Sequence, residues 1–228
     1  MKSTVLARYV RARARLQTTA VFAALAATFF VPGLLRADDH SAEQAAAASQ
    51  ARVAVPGIDN FGRVDDRLFR GAQPPLSALP GLRALGVNTV VRLNGEGADV
   101  AAEKKQVESL GMRFVNLPWS GTGLPTHEQV VAFLALLHDD PDAKVFVHCR
   151  FGADRTGVFV ALYRLEFNHW TVAQALAEMK QFHYHHFLLP HLESYVESFP
   201  SGISADAELA KFQLPVSGAP PPIATVGP

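Results

Sequence analysis

The sequence predicts an α/β fold: one domain with a central, mainly parallel sheet flanked by helices. Three observations predict it. Short apolar runs rich in β-branched residues alternate with helical patterns between residues 87 and 168, the arrangement that lays helices over the faces of a parallel sheet. Gly86 and Gly111 each close a helical pattern just before a strand pattern, as helix-ending glycines do. At 228 residues and 49% hydrophobic content, the chain fills one core with extensions to spare.

Along the chain, residues 38–57 are rich in Ala, Gln and Ser and read as a linker, with the folded domain over 58–199. Residues 61–70 read as a short strand pair turning at Asp65-Asp66, and 80–85 as a helical turn. Residues 87–93 form a buried strand by their β-branched content. Residues 98–110 form a helix, with Glu103, Lys104, Lys105 and Glu108 assigned to its solvent face. The next strand is 112–117. Thr126 is an N-cap for a helix over 127–139, where Val130, Phe133, Leu134 and Leu137 share one face. A strand at 144–148 leads to helices over 156–168 and 171–182, the second capped by Thr171. The last short helix covers 192–199, and the Pro-, Ala- and Gly-rich residues 200–228 read as a disordered tail.

Residues 1–37 read as a targeting segment. They hold Lys2, Arg8, Arg11, Arg13, Arg15 and Arg36 and no acidic residue; residues 18–35 are apolar, Pro32 and Gly33 break the run, and Ala37 precedes Asp38-Asp39. This is the layout of a cleaved export signal, with an uncleaved membrane anchor as the alternative. The formal net charge of zero hides an asymmetry: beyond this segment, 15 basic residues face 21 acidic ones. An acidic body argues against nucleic acid or an anionic membrane surface as the main partner. Membrane contact is expected only through the N-terminal segment. The single cysteine excludes a disulfide framework and suits an exported protein, since it has no internal partner for a wrong bridge.

That cysteine lies in the run His148-Cys149-Arg150-Phe151-Gly152-Ala153-Asp154-Arg155-Thr156-Gly157, between a strand pattern and a helix pattern. Unpaired N–H groups at the helix start and the permanent charge of Arg155 both favour the thiolate, which is the nucleophilic form. Gly152 lets the loop curl so that its N–H groups converge on an anion. The arginine fork suits two phosphate oxygens at once. The pattern points to chemistry at phosphorus.

The run resembles the signature loop of the protein tyrosine phosphatase superfamily: His-Cys, five residues, then Arg-Ser/Thr-Gly. The similarity is greatest to the dual-specificity branch in its compact bacterial form, and it extends from Asp59 to Phe199 through the stretch Asn60 to Pro74. The resemblance implies a cysteine phosphatase fold and hydrolysis of phosphate monoesters through a phosphocysteine at Cys149, without metal or cofactor. Arg155 would bind phosphate and stabilise the transition state. Thr156 would support the sulfur as a leaving group, and His148 would orient the loop. Arg150, Phe151, Gly152 and Ala153 would surround the substrate. Trp119 either walls the pocket or packs in the core, and Arg70 either reaches the rim or is structural.

The family places an acidic proton donor on a separate loop, which here spans 116–126 and contains no Asp or Glu. The leading substitute is Asp154, as in the myotubularin branch; it could equally cap the following helix or pair with a basic side chain. Glu128 and His127 are further candidates. The substrate is expected to be a phosphorylated protein or a small phosphate ester. A phosphoinositide substrate, a rhodanese-like sulfurtransferase and a non-catalytic phosphate-binding module are the competing readings. His183, His185, His186 and His191 lack a carboxylate or cysteine to complete a metal set.

Overall fold

A computed structural model describes residues 54–212 of the chain. The targeting segment, most of the linker and the last part of the tail lie outside the described residues. Strand β1 (Gly62–Arg63) pairs antiparallel with β2 (Leu68–Ala72). Strands β3 (Thr89–Arg92), β4 (Arg113–Asn116) and β5 (Val145–Cys149) complete one sheet, ordered β1-β2-β5-β3-β4. Every pairing after the first is parallel. Asp65 builds the first turn: its Oδ1 accepts the N–H groups of Arg67 and Leu68, and its Oδ2 accepts the Tyr163 hydroxyl at 2.7 Å.

Helices cover both faces, as the mainly parallel sheet requires. On one face, Phe61, Phe69, Val90 and Phe146 pack against Leu79 and Leu82 of α1 (Leu79–Ala84) and Val107 of α2 (Asp99–Ser109). On the other, Val91, Val145 and Val147 pack beneath α3 (His127–His138), α4 (Asp154–Phe167), α5 (Val172–Gln181) and α6 (Pro190–Ala205). Side chains along β5 alternate between these two faces, with a period of about two. Phe146 and His148 face α1 and α2, while Cys149 joins Val145 and Val147 on the other side. Thr126 and Thr171 cap α3 and α5, each in a capping box with the glutamine three residues on.

Three expectations are corrected. Glu103 is not on the wet face of α2: it is buried, one turn before buried Val107, and points at the sheet, where Arg92 and the His148 ring meet it. α4 begins at Asp154, two residues before the expected start. Residues 200–212 are ordered, not disordered, and mostly helical. α6 runs through Pro200 to Ala205, and α7 (Ala207–Ala210) comes next. Leu192, Val196, Phe199 and Ile203 form one buried stripe that Leu209 and Phe212 extend. That burial offsets the hydrogen bond lost at the proline.

Inside α4, Glu166 is buried, and burial raises its carboxyl from 4.5 to about 7. Between those values the unfolded chain has released the proton while the folded protein keeps it. Folding stability therefore falls as pH rises through this window, and the penalty stays constant above it. Urea titrations at a series of pH values are expected to show this slope in the wild type. In Glu166→Gln the slope disappears and stability at mildly alkaline pH is higher.

Candidate active site

The loop after β5 is seated on main chain. Gly152 has a φ of +67°, and a Cβ there would lie 2.4 Å from the Gly71 carbonyl carbon and 2.5 Å from the Ala72 nitrogen. Only glycine allows both the left-handed turn and this approach to β2. The carbonyl of Gly152 accepts a hydrogen bond from Arg70 Nη2 at 2.9 Å. Arg70 is fully buried beneath the loop, with its guanidinium 3.7 Å from the Phe182 ring centroid. Burial pushes this side chain down to about 10, opposed by Glu178 and Cys149, so it stays cationic at neutral pH. It acts as a strut under the loop, not as a group on the rim. Asn60 ties the outer side, donating from Nδ2 to the carbonyls of Phe151 and Phe182.

Cys149 ends β5 and is 2% exposed. Arg155 sits in the first turn of α4. Its Nη1 donates to the Trp119 carbonyl at 2.9 Å and to the Leu93 carbonyl at 3.4 Å. The segments after β3, β4 and β5 therefore converge on this guanidinium, at the carboxyl ends of the strands, where open α/β sheets place their ligands. Gly121, at φ +82°, makes room: a Cβ there would lie 3.0 Å from Arg155 Nε. The Thr156 hydroxyl is fully buried and has no hydrogen-bond partner among the described residues. Ala153 is buried, whereas Arg150 and Phe151 are exposed, the guanidinium 5.2 Å from the ring centroid.

Two expected site residues lie elsewhere. The Trp119 ring is in the core, edge-on to Phe159 at 6.1 Å, and cannot wall a pocket; its carbonyl is the part that serves the site. Asp154, at the first position of α4, accepts hydrogen bonds at 2.9 Å from the His185 N–H and at 3.0 Å from the His185 ring. That carboxylate is engaged with the segment between α5 and α6. His127 pairs with Glu208 of α7 at 2.8 Å. Among the described residues, no group of three or more His, Cys, Asp or Glu is placed to hold a metal.

Behind the loop lies a buried network that sequence patterns did not reveal. His148 Nε2 is 2.7 Å from Glu103 Oε1, and Arg92 Nη1 donates to Glu103 Oε2 at 2.7 Å. Arg92 also reaches Asp99, which accepts from Gln73 Nε2 at 2.6 Å; Gln73 accepts from Asn94 at 2.7 Å. Burial alone would raise the Glu103 carboxyl, but His148 and then Arg92 outweigh it and hold the group below its usual range. The readable signal was spacing: Glu103, Val107 and Leu110 lie at i, i+4 and i+7, so the carboxylate occupies an apolar stripe. A cavity of about 320 Å³ opens beside this network, lined by Gln73, Asn94, Glu96, Asp99, Arg150 and Arg155 among others.

A family model described as "DSP-PTPase phosphatase fused to NAD+ Kinase" matches residues 56–189. The chain belongs to this dual-specificity phosphatase family. The match contains β1 through α5 and the whole loop of Cys149 and Arg155. Among the relatives of this phosphatase is the dual specificity protein phosphatase TpbA of Pseudomonas aeruginosa. It is 29% identical over 161 residues, covering 71% of this chain and 70% of TpbA. The crystal structure of a TpbA variant in complex with pTyr shares the fold, with a TM-score of 0.55 and 24% identity over 72% of this chain and 93% of that one. The catalytic core of the PP-IP phosphatase Siw14 from S. cerevisiae shares it too, with a TM-score of 0.55 and 17% identity over 72% of this chain and 100% of that one.

Proposed function

We propose that this phosphatase removes phosphate from phosphotyrosine and from phosphoserine or phosphothreonine in proteins, through a phosphocysteine at Cys149. The observation that carries the proposal is the placement of the one cysteine at the end of β5, on a loop that also supplies Arg155 and the start of α4. Loop N–H groups and the guanidinium surround the equatorial oxygens of a phosphoryl group. They stabilise the charge spread over those oxygens as the group transfers. In the first step, a sulfur lone pair forms the S–P bond while the bond from phosphorus to the ester oxygen breaks. In the second, water attacks phosphorus and the sulfur leaves, and the spare Thr156 hydroxyl donates to it. His148, fixed by Glu103, holds the strand end in place.

A protein substrate is supported by the name of the TpbA relative and by the mixed charge around the loop. Asp99 and Glu96 line the cavity beside Arg92, Arg150 and Arg155, a poor match for a highly charged inositol. The N-terminal segment leads us to place the enzyme outside the cytoplasm. A panel of phosphopeptides, phosphoinositides and inositol phosphates separates the substrate classes. We expect phosphopeptides to show the highest kcat/KM, with no turnover by Cys149→Ser. Preference for an inositol phosphate would reject the protein reading and leave the cysteine chemistry standing.

A further inference from the structure

We propose that Glu96 is the proton donor to the leaving group, in place of the acidic residue missing from the loop between β4 and α3. The inference rests on the phosphatase reading and adds a residue to it. Expulsion of an alkoxide from phosphorus needs a proton. The segment 116–126 offers no carboxyl, and the carboxylate of Asp154 is held by His185 and does not line the cavity. His127 is engaged by Glu208, and Glu128 does not line the cavity.

Two carboxyl groups share the cavity with Arg155 and Arg150: Asp99 and Glu96. Asp99 is committed. One oxygen accepts from Gln73 and both lie within reach of Arg92. The Gln73 hydrogen bond, followed by burial in the opposite sense and then the Arg92 charge, leaves it below its usual range. Glu96 is the free one. It is exposed, and its only hydrogen bond among the described residues is a 3.5 Å contact from Asn116. Gly95 and Gly97 flank it, and a Cβ at Gly95 would meet nothing within 4 Å. The side chain therefore stands exposed at the mouth of the cavity.

The cavity sets Glu96 among the groups that would hold the substrate. The groups facing Glu96 are Arg92 from β3, Asp99 from α2, Arg150 and Arg155 from the signature loop and α4, and the neutral Asn116 from β4. A phosphate ester clasped by Arg155 brings its leaving oxygen into the cavity that Glu96 lines. In the first step the Glu96 proton moves to the ester oxygen as its bond to phosphorus breaks, and a neutral alcohol leaves. In the second, the Glu96 carboxylate takes a proton from the attacking water, and the cycle closes with no net change in the residue.

Glu96→Gln and Asp154→Asn test this against wild type. Phosphoserine and para-nitrophenyl phosphate are the substrates, compared across pH with melting temperatures matched. We expect Glu96→Gln to slow phosphoserine by about 10²-fold while sparing the aryl ester, whose leaving group needs little help, and to remove the alkaline limb of the phosphoserine profile. Glu96→Asp should restore part of both. Equal slowing of both esters, an unchanged alkaline limb, or selective loss in Asp154→Asn alone would overturn the assignment while leaving the phosphatase reading intact. No turnover of either ester by wild type would overturn both.

Discussion

Replacing Arg155 by lysine is expected to lower kcat by about 10³-fold or more with little change in melting temperature. The size reflects what the guanidinium does. It is placed at the meeting point of the segments after β3, β4 and β5, anchored by the Trp119 and Leu93 carbonyls. Anchored in this way, its planar fork meets two phosphoryl oxygens at fixed geometry. A lysine keeps the charge but is a point donor on a flexible stem. Comparable arginine contributions to phosphoryl transfer are worth about 10³ to 10⁵. Stability should hold because Arg155 is only half-buried and both of its hydrogen bonds are part-buried, so water can reach the lost donors. Steady-state kinetics with an aryl phosphate and a thermal melt check both halves. A loss of less than tenfold would mean that Arg155 is a strut for the loop and not a partner of the transition state.

The second large effect lies behind the site. Glu103→Gln is expected to cost about 3 kcal/mol of stability, because it removes the charge that pairs His148 and Arg92 in a dry interior and leaves both partners short. It should also lower kcat by about tenfold or more, since His148 directly precedes Cys149 and a small displacement of the nucleophile is expensive. The pH dependence gives a separate readout. The carboxyl is held below its unfolded value of 4.5. Its contribution is thus present above that value and lost as pH falls through the lower folded one. Glu103→Gln should flatten the acid limb of the stability curve. Wild-type stability in urea together with an unchanged acid limb would show that the ion pair is of no consequence.

These two residues also mark where the sequence is legible and where it is not. Arg155 is legible because several local constraints coincide: a β-branched strand, a glycine that must turn, an arginine six residues beyond the cysteine, and a helix pattern after it. Short-range geometry fixes such a loop, so residue spacing carries it. The mainly parallel sheet obeys the same logic, since strands alternating with helices are joined by crossovers that lay them parallel. Glu103 is misassigned from sequence because a charged residue on a helix is normally solvated, and its partners Arg92 and His148 are brought to it only by the tertiary fold. Trp119 lies in an irregular segment, where no periodicity says which side chains turn inward. The helix through Pro200 escapes notice because proline is a local stop signal, whereas the buried stripe from Leu192 to Phe212 is a tertiary effect. Asp154 belongs to the same group: its partner His185 is 31 residues away in the chain.

The central claim is that Cys149 carries the phosphoryl group between two half-reactions. Acid quenching of the enzyme during turnover of an aryl phosphate, with mass spectrometry of the peptide spanning residues 144–155, tests it most directly. Phosphate on the Cys149 sulfur is predicted in wild type, and neither labelled peptide nor phosphate release in Cys149→Ser. Sustained phosphate release by Cys149→Ser, or turnover by wild type with the phosphate found on another side chain, would contradict it.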